Sequence, residues 1–499
     1  MFGAGSADSL MRDAKGVAEG DVSGLKQVER ATLAHSKHYQ RFMVKDKQFD
    51  RQFSHIYSKR TQEMGSTVRD AARKRWGAAG IAFKERIIEL ALGEEAALVG
   101  TLYKDMPKKP CVLDEYADEA EGGDDAAAGG GDGAEAKRAA RVATFSSEKD
   151  SLVLEDGSGR VPLVFDGCEG GCPVGELVTG VVIAVEGTYV AEGEAFCVKR
   201  WCSAGMPAQE ARAPEPATEG CVLLVSGLAL GSSASAANAL PTQLLVDHVT
   251  GHLGGEGEQA GAARIARVVV AGSSVELPAI DSSSLAGKRS KAQQDAMAEP
   301  LRQADLALAQ LAATAPVDVM PGASDPANHA LPQQPMHRCL FPGATQYATF
   351  HCVTNPHEAS VGGARILGHA GQPLDDVVRS SAAGTAPIDV LERTLGWSHM
   401  APTAPDTLSC YPFHESDPFV LKECPHVYFA ANQDAFATKL VEGAEGQKVR
   451  LICVPSFATT CTAVLLNIAT LECEPITFAV DGMGAAGDAD MGEAPPPTE

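Results

Sequence analysis

From Phe53 onward, apolar residues recur at spacings of three and four: Phe53, Ile56, Tyr57, Met64, Val68, Ala71, Ala72 and Trp76. That period predicts one long amphipathic helix. Arg69, Arg73, Lys74 and Arg75 fall mainly on its other face, a basic strip that suits either a solvated surface or contact with DNA. Glu85 to Ala91 reads as a second, short helix. The period then changes. Leu98–Tyr103, Ser151–Asp156, Arg160–Phe165, Val178–Val185 and Ala195–Val198 are short strand-like runs separated by Gly turns, the spacing of a small closed barrel, with an OB-fold as the natural candidate. After about residue 220, apolar runs such as Val222–Val225 and Val268–Ala271 alternate with helical stretches, of which Gln293 to Ala312 is the clearest. This alternation predicts a layered α/β domain.

The intervening stretches divide the chain. Residues 1–47 are polar and mixed in charge, and are expected to be mobile or weakly helical. Residues 48–205 would hold the N-terminal helices and the barrel. A Gly/Ala/Asp/Glu-rich, disordered insert is expected over about 117–147, and a Pro/Ala/Glu-rich linker over 206–219. The second domain would run over 220–483, followed by an acidic tail at 484–499 that contains Pro495-Pro496-Pro497. The predicted class is therefore multidomain α+β.

Bulk properties narrow the possible activities. At 499 residues and 44% hydrophobic content, the chain can bury large cores. No run reaches the length of a membrane span, and Ser6 to Lys47 is dotted with charge, so a soluble, intracellular protein without membrane attachment is expected. The net charge is −23, distributed as +6 over residues 1–90 and −29 over the remainder. An acidic body repels phosphates, so DNA would be met weakly or through another subunit. Thirteen cysteines include no CxxC pair; Cys168 and Cys172 lack further ligands at zinc spacing, and reduced thiols are expected.

Several runs have no need of composition to be distinctive. Phe53-Ser54-His55-Ile56-Tyr57, Leu152-Val153-Leu154-Glu155-Asp156, Val317-Asp318-Val319-Met320-Pro321-Gly322, Leu331-Pro332-Gln333-Gln334-Pro335, Ala401-Pro402-Thr403-Ala404-Pro405-Asp406-Thr407-Leu408 and Glu423-Cys424-Pro425-His426-Val427-Tyr428-Phe429 are the chief ones. In these runs the chain resembles the small, or B, subunits of eukaryotic replicative DNA polymerases, in particular those of the delta type. The resemblance spans roughly Arg51 to Gly482. It implies an OB-fold followed by a calcineurin-like phosphoesterase domain that has lost activity. It also implies two partners, the metal-bearing C-terminal domain of a catalytic polymerase subunit and a third, clamp-binding subunit, together with a place in the nucleus. The alternatives are the small subunit of polymerase alpha or epsilon, or a metal-dependent phosphoesterase or nuclease with a remodelled site.

Set beside the motifs of active phosphoesterase relatives, the likeness assigns a degenerate site. Gly227 and Ala229 stand where the first Asp and His would be, and Ser273 and Glu276 replace the two acids of the second motif. Ala323 and Ser324 replace Asn and His, while Asp325 is kept; Ala370 takes the next His position, with His369 one residue early. Asn432 and Asp434 occupy the last two His positions. Two-metal hydrolysis needs a dense shell of acids and imidazoles around a bridging carboxylate. With Ser273 at the bridge, no catalysis, cofactor or resident metal is expected, and Asp325 has the alternative role of capping its own turn. The Gly-rich runs lack the P-loop Lys, and Ser226 is outside any Gly-x-Ser-x-Gly elbow. His248 and His252 have zinc-pair spacing but no third ligand. The two Pro-rich runs read as rigid, exposed loops that serve as chain turns or as docking surface.

Overall fold

The computed structural model describes residues 28–45, 48–77, 82–109, 144–191, 194–212, 220–278 and 291–478. The expected mobile residues 1–27, most of the acidic insert, the second half of the linker and the tail lie outside them.

The helix Ser54–Trp76 buries Ile56, Arg60, Met64, Val68 and Ala72. This every-fourth-residue stripe lies against the barrel. Phe53, included in the apolar pattern, is instead exposed, and an arginine stands within the stripe. The expected second helix shrinks to one 3₁₀ turn, Ile87–Glu89, pinned by Asp156, which accepts from the Ile87 N–H at 2.7 Å. The basic strip is largely occupied by neighbours: Arg69 pairs with Glu85 at 3.0 Å and Lys74 with Glu445 at 2.5 Å.

A three-residue strand β1 (His35–Lys37) precedes this helix. Next come β2 (Glu95–Asp105), β3 (Ser151–Glu155), β4 (Arg160–Val164), β5 (Val182–Val190) and β6 (Ala195–Ser203). They close a barrel in the order β2-β3-β4-β6-β5, with β2 pairing back to β5 and β4 parallel to β6. A five-stranded barrel closed this way is an OB-fold.

The second domain holds β7 (Cys221–Val225), β8 (Ile265–Ala271), β9 (Val317–Met320), β10 (Phe350–Cys352), β11 (His357–Val361) and β12 (Ala364–His369), then β13 (Val427–Gln433), β14 (Ala437–Glu442), β15 (Lys448–Pro455), β16 (Thr462–Asn467) and β17 (Cys473–Thr477). They form two six-stranded sheets, β1-β11-β12-β13-β15-β14 and β10-β9-β8-β7-β16-β17. The inner faces meet through Val222, Leu224, Val269, Ala271, Ile366, Phe429 and Ile452. The outer face of one sheet is covered by the helices Ala239–Thr250 and Lys291–Thr314, through Leu245, Val249, Leu308 and Leu311. The other is covered by Gln372–Ser380 and Pro387–Gly396, through Leu374, Val377, Leu391 and Leu395. Strands buried on both faces read as continuous apolar runs, which is why Val222–Val225 shows no alternation. The result is the α/β/β/α phosphoesterase-like layering. Among the described residues, no helix is long and apolar enough to cross a membrane, and every described cysteine is free.

Three expectations are corrected. Residues 28–45, read as mobile or weakly helical, form a strap over the second domain. Its strand β1 pairs with β11, His35 opposite Val361, and Arg30 donates to the carbonyls of Val249, Ala262 and Ile265 at 2.6–3.0 Å. Phe42 is fully buried. The composition misled because a few anchoring residues, rather than a periodic face, fix an extended strap. Residues 206–212, read as linker, lie along the second domain, where Gln209 donates to the carbonyls of Pro425 and Lys448 at 3.0 and 2.8 Å. The two Pro-rich runs are largely buried rather than exposed: Leu331, Gln333, Ala401 and Ala404 have almost no accessible surface.

Candidate functional site

In a sandwich of this kind the carboxyl ends of the parallel strands converge, and ligands bind in the crevice there. Strands β7, β8 and β9 run parallel in one sheet, and β12, β13 and β15 in the other. Their ends bring together Gly227, Ser273, Asp325, Ala370 and Asn432, residues far apart in the chain.

The backbone makes tight bends here. Gly227 has φ +63° and Gly272 φ +85°, and the non-glycine residues Ala229, Ser273 and Asn432 lie at +44°, +53° and +58°. Left-handed conformations cost non-glycine residues about 1–2 kcal/mol each, so surrounding bonds must hold them. They do: Gly227 N–H donates to the Gly272 carbonyl at 3.0 Å and Ala229 N–H to the Ser273 carbonyl at 2.9 Å.

The centre is filled. The Asn432 side chain donates to the carbonyls of Ala271 (3.2 Å) and Ala370 (2.8 Å), and its backbone N–H donates to Ser226 Oγ at 3.0 Å. A Cβ added at Gly227 would lie 2.3 Å from Ser456 Oγ and 2.8 Å from Asn432 Oδ1; one at Gly272 would lie 2.5 Å from the Ala370 Cβ. A larger side chain at any of these positions has no space. Beneath them lies a carboxamide network in which Gln333 donates to the Gly322 carbonyl (3.0 Å) and accepts from Asn355 (2.8 Å) and Gln372 (3.1 Å).

Asp325 sits within this group as a staple. Its two carboxylate oxygens accept from Val275 N–H at 2.9 Å and Gly322 N–H at 2.8 Å. Burial pushes its carboxyl up to about 6 against the pull of these N–H donors. His369 is buried beside Tyr428 with ring centroids 5.9 Å apart; burial pushes its imidazole down to about 3, and Nδ1 accepts from Gly371 N–H at 3.2 Å. Ala323, Ser324 and Asp434 lie on the exposed rim and Glu276 is half-buried, away from the centre. Among the described residues no three His, Cys, Asp or Glu side chains are grouped to hold a metal ion. His248 stacks edge-on against Phe478 and His252 bonds Thr250, so the two do not form a ligand pair.

A second buried polar centre, missed from sequence, is the seam between barrel and sandwich. Arg60 is fully buried there. Its Nε donates to Asp417 Oδ2 at 2.7 Å, Nη1 to the carbonyls of Gly180 (3.1 Å) and Pro402 (2.7 Å), and Nη2 to the Ala404 carbonyl (2.7 Å). His399 Nε2 shares Asp417 Oδ2 at 2.9 Å. Against the upward push of burial, the guanidinium and imidazole hold the Asp417 carboxyl far below the usual carboxylate range. Burial, ahead of the Arg60 charge, pushes His399 down to about 4. Nearby, Lys104 and Asp150 form a second fully buried pair at 3.4 Å, with Lys104 also donating to the Ser380 carbonyl at 2.7 Å. The sequence signal was available: a charged residue at the centre of an apolar helical stripe requires a buried partner.

The class these features define is an OB-fold docked on a phosphoesterase-like sandwich with filled strand ends. Residues 52–201 match the family described as "DNA polymerase delta subunit OB-fold domain", and residues 222–438 match the family of the DNA polymerase alpha/epsilon B subunit. A DNA polymerase delta small subunit of Arabidopsis thaliana is 45% identical over 79% of this chain and 84% of the relative. One of Oryza sativa subsp. japonica is 41% identical over 91% and 99%, and a DNA polymerase delta subunit 2 of Drosophila melanogaster 37% over 88% and 96%. The chain belongs to the family of DNA polymerase delta small subunits, which gives it an accessory-subunit role in DNA polymerase delta.

Proposed function

We propose that the protein is a non-catalytic nuclear scaffold. It would bind the metal-bearing C-terminal domain of the polymerase delta catalytic subunit and also a third, clamp-binding subunit, and would meet DNA only indirectly or weakly. The observation that supports this most is the filled centre of the strand ends: Asn432, Ser456 and Ala370 take the space that metal ligands would need, and Asn432 bonds the carbonyls of Ala271 and Ala370. A frame kept rigid without room for chemistry suits contact. Tethering a clamp-binding subunit would raise the local concentration of polymerase at the primer end.

The test is co-expression with the polymerase delta catalytic subunit, followed by size-exclusion chromatography. Co-elution lost on deleting the catalytic subunit's C-terminal domain is the expected result; separate peaks refute the scaffold reading. Mn²⁺-dependent cleavage of a phosphodiester, abolished in Asp325→Ala, would refute the non-catalytic part alone.

A further inference from the structure

Arg60 and the run Ala401–Leu408 together carry an inference that the sequence left open. Arg60 belongs to the N-terminal helix, Gly180 to the barrel, and Pro402, Ala404 and Asp417 to the sandwich domain. One guanidinium therefore bonds three parts of the chain at once, with no accessible surface of its own. Its planar fork fixes directions as well as distances, which a lysine ammonium does not. The backbone is shaped around it. Gly180 has φ +88°, and a Cβ there would lie 1.9 Å from the Pro402 carbonyl oxygen and 2.5 Å from Arg60 Nη1. The acceptor side is braced in turn: Asp417 accepts Phe419 N–H at 2.9 Å, and Asp417 N–H donates to Glu63 of the same helix as Arg60 at 3.1 Å.

Other bonds cross the seam, among them Lys104 to the Ser380 carbonyl at 2.7 Å and Ala382 N–H to the Gly175 carbonyl at 2.8 Å, but each joins two segments only, and the apolar part of the seam has no such directional content. Leu98, Leu102, Val181 and Phe196 of the barrel share one continuous core with Leu374, Val377, Leu395 and Tyr428. Such a surface favours contact but tolerates sliding, because apolar attraction is non-directional. A buried ion pair costs desolvation that its Coulomb attraction often only balances, and its best-attested use is to fix register.

We propose that Arg60 is a registration latch that locks the barrel onto the sandwich in one relative position, and that the Ala401–Leu408 run is the seat of this latch rather than a docking loop for a partner. Barrel and sandwich then present a single composite surface whose geometry is set before any partner arrives. The latch does not depend on the scaffold reading; it is a property of the chain alone.

Hydrogen–deuterium exchange on the full chain tests it, comparing Arg60→Met, Arg60→Lys and Gly180→Ala with the parent. Removing one partner of a buried pair is strongly destabilising, so in Arg60→Met the amides of residues 56–72, 399–404 and 417–421 should exchange at least about a hundredfold faster, each tenfold being about 1.4 kcal/mol. Amides inside the barrel (Leu154) and the sandwich (Val270, Phe429) should keep their protection. Arg60→Lys and Gly180→Ala should show the same pattern at smaller amplitude, which covers the case in which Arg60→Met does not fold. Uniform acceleration through both cores would make Arg60 an ordinary stabilising residue and overturn the latch, as would unchanged exchange at the seam. Failure of co-elution with the catalytic subunit, with seam exchange behaving as stated, would sink the scaffold reading and leave the latch standing.

Discussion

Returning the first acid of the phosphoesterase motif, Gly227→Asp, is the most direct test of whether the strand ends are filled. Four costs add. A non-glycine residue at φ +63° costs about 1 kcal/mol, Asp tolerating this region better than most. The new Cβ would meet Ser456 Oγ at 2.3 Å and Asn432 Oδ1 at 2.8 Å, and overpacking of this kind costs about 1–3 kcal/mol. Displaced, Asn432 loses its bonds to Ala271 and Ala370, about 1 kcal/mol each. The carboxylate then enters a buried site without a cation, which costs at least about 1–3 kcal/mol. The sum is about 5–9 kcal/mol, comparable to the stability of a typical domain, and corresponds to a fall in Tm of about 10–35 °C. Differential scanning fluorimetry reads it, with Gly257→Asp as the control, since Gly257 has φ outside the left-handed region and nothing within 4 Å of an added Cβ. If Gly227→Asp melts within about 2 °C of the parent, or if Mn²⁺ raises its Tm, the centre has room for a ligand and the reasoning fails.

Phe42→Ala removes the one fully buried aromatic of the strap and should cost about 3–5 kcal/mol; a urea midpoint unchanged from the parent would mean the strap contributes no core. Gly368→Ala places a Cβ 2.2 Å from the Phe429 ring, and should cost about 1–3 kcal/mol by overpacking, read as a lower Tm. Acid should destabilise the chain between pH 6.5 and about 4. His357, His369 and His399 are held neutral by burial, with their imidazoles down to about 4, 3 and 4. Their folded values lie below the unfolded one, so the unfolded chain binds more protons there and stability falls with pH, by up to about 1.4 kcal/mol per pH unit for each histidine. Asp325, pushed up to about 6, acts in the opposite sense over the same window, but as one group against three. Urea midpoints at pH 7, 5.5 and 4.5 would show the decline; a midpoint that rises on acidification refutes this balance.

The period of the helix at Ser54–Trp76 was legible because one face of it meets a continuous core, and the barrel strands were legible from short runs separated by turn residues. The strap was not. Phe42 and Arg30 are isolated anchors on an extended segment, and no local period records that distant strands and helix ends await them. The Pro-rich runs misled for a related reason. Proline and small residues look like surface turns locally, and only the arrival of Arg60 from the N-terminal helix makes their carbonyls interior acceptors.

By itself the sequence determined which segments alternate or run continuously apolar, and so the long N-terminal helix, the barrel strands and a layered α/β domain, because those periods reflect burial of one face or two. It also determined which acids and histidines are missing from the motif positions. What fills the space they leave was decided only by the tertiary structure. Asn432 bonds two carbonyls at the ends of two other strands, β8 and β12, and Gly227 lacks room because Ser456 lies across the crevice from it. Contacts between residues hundreds of positions apart leave no mark on any local pattern, so a filled crevice and a buried arginine at the seam are properties of the assembled chain.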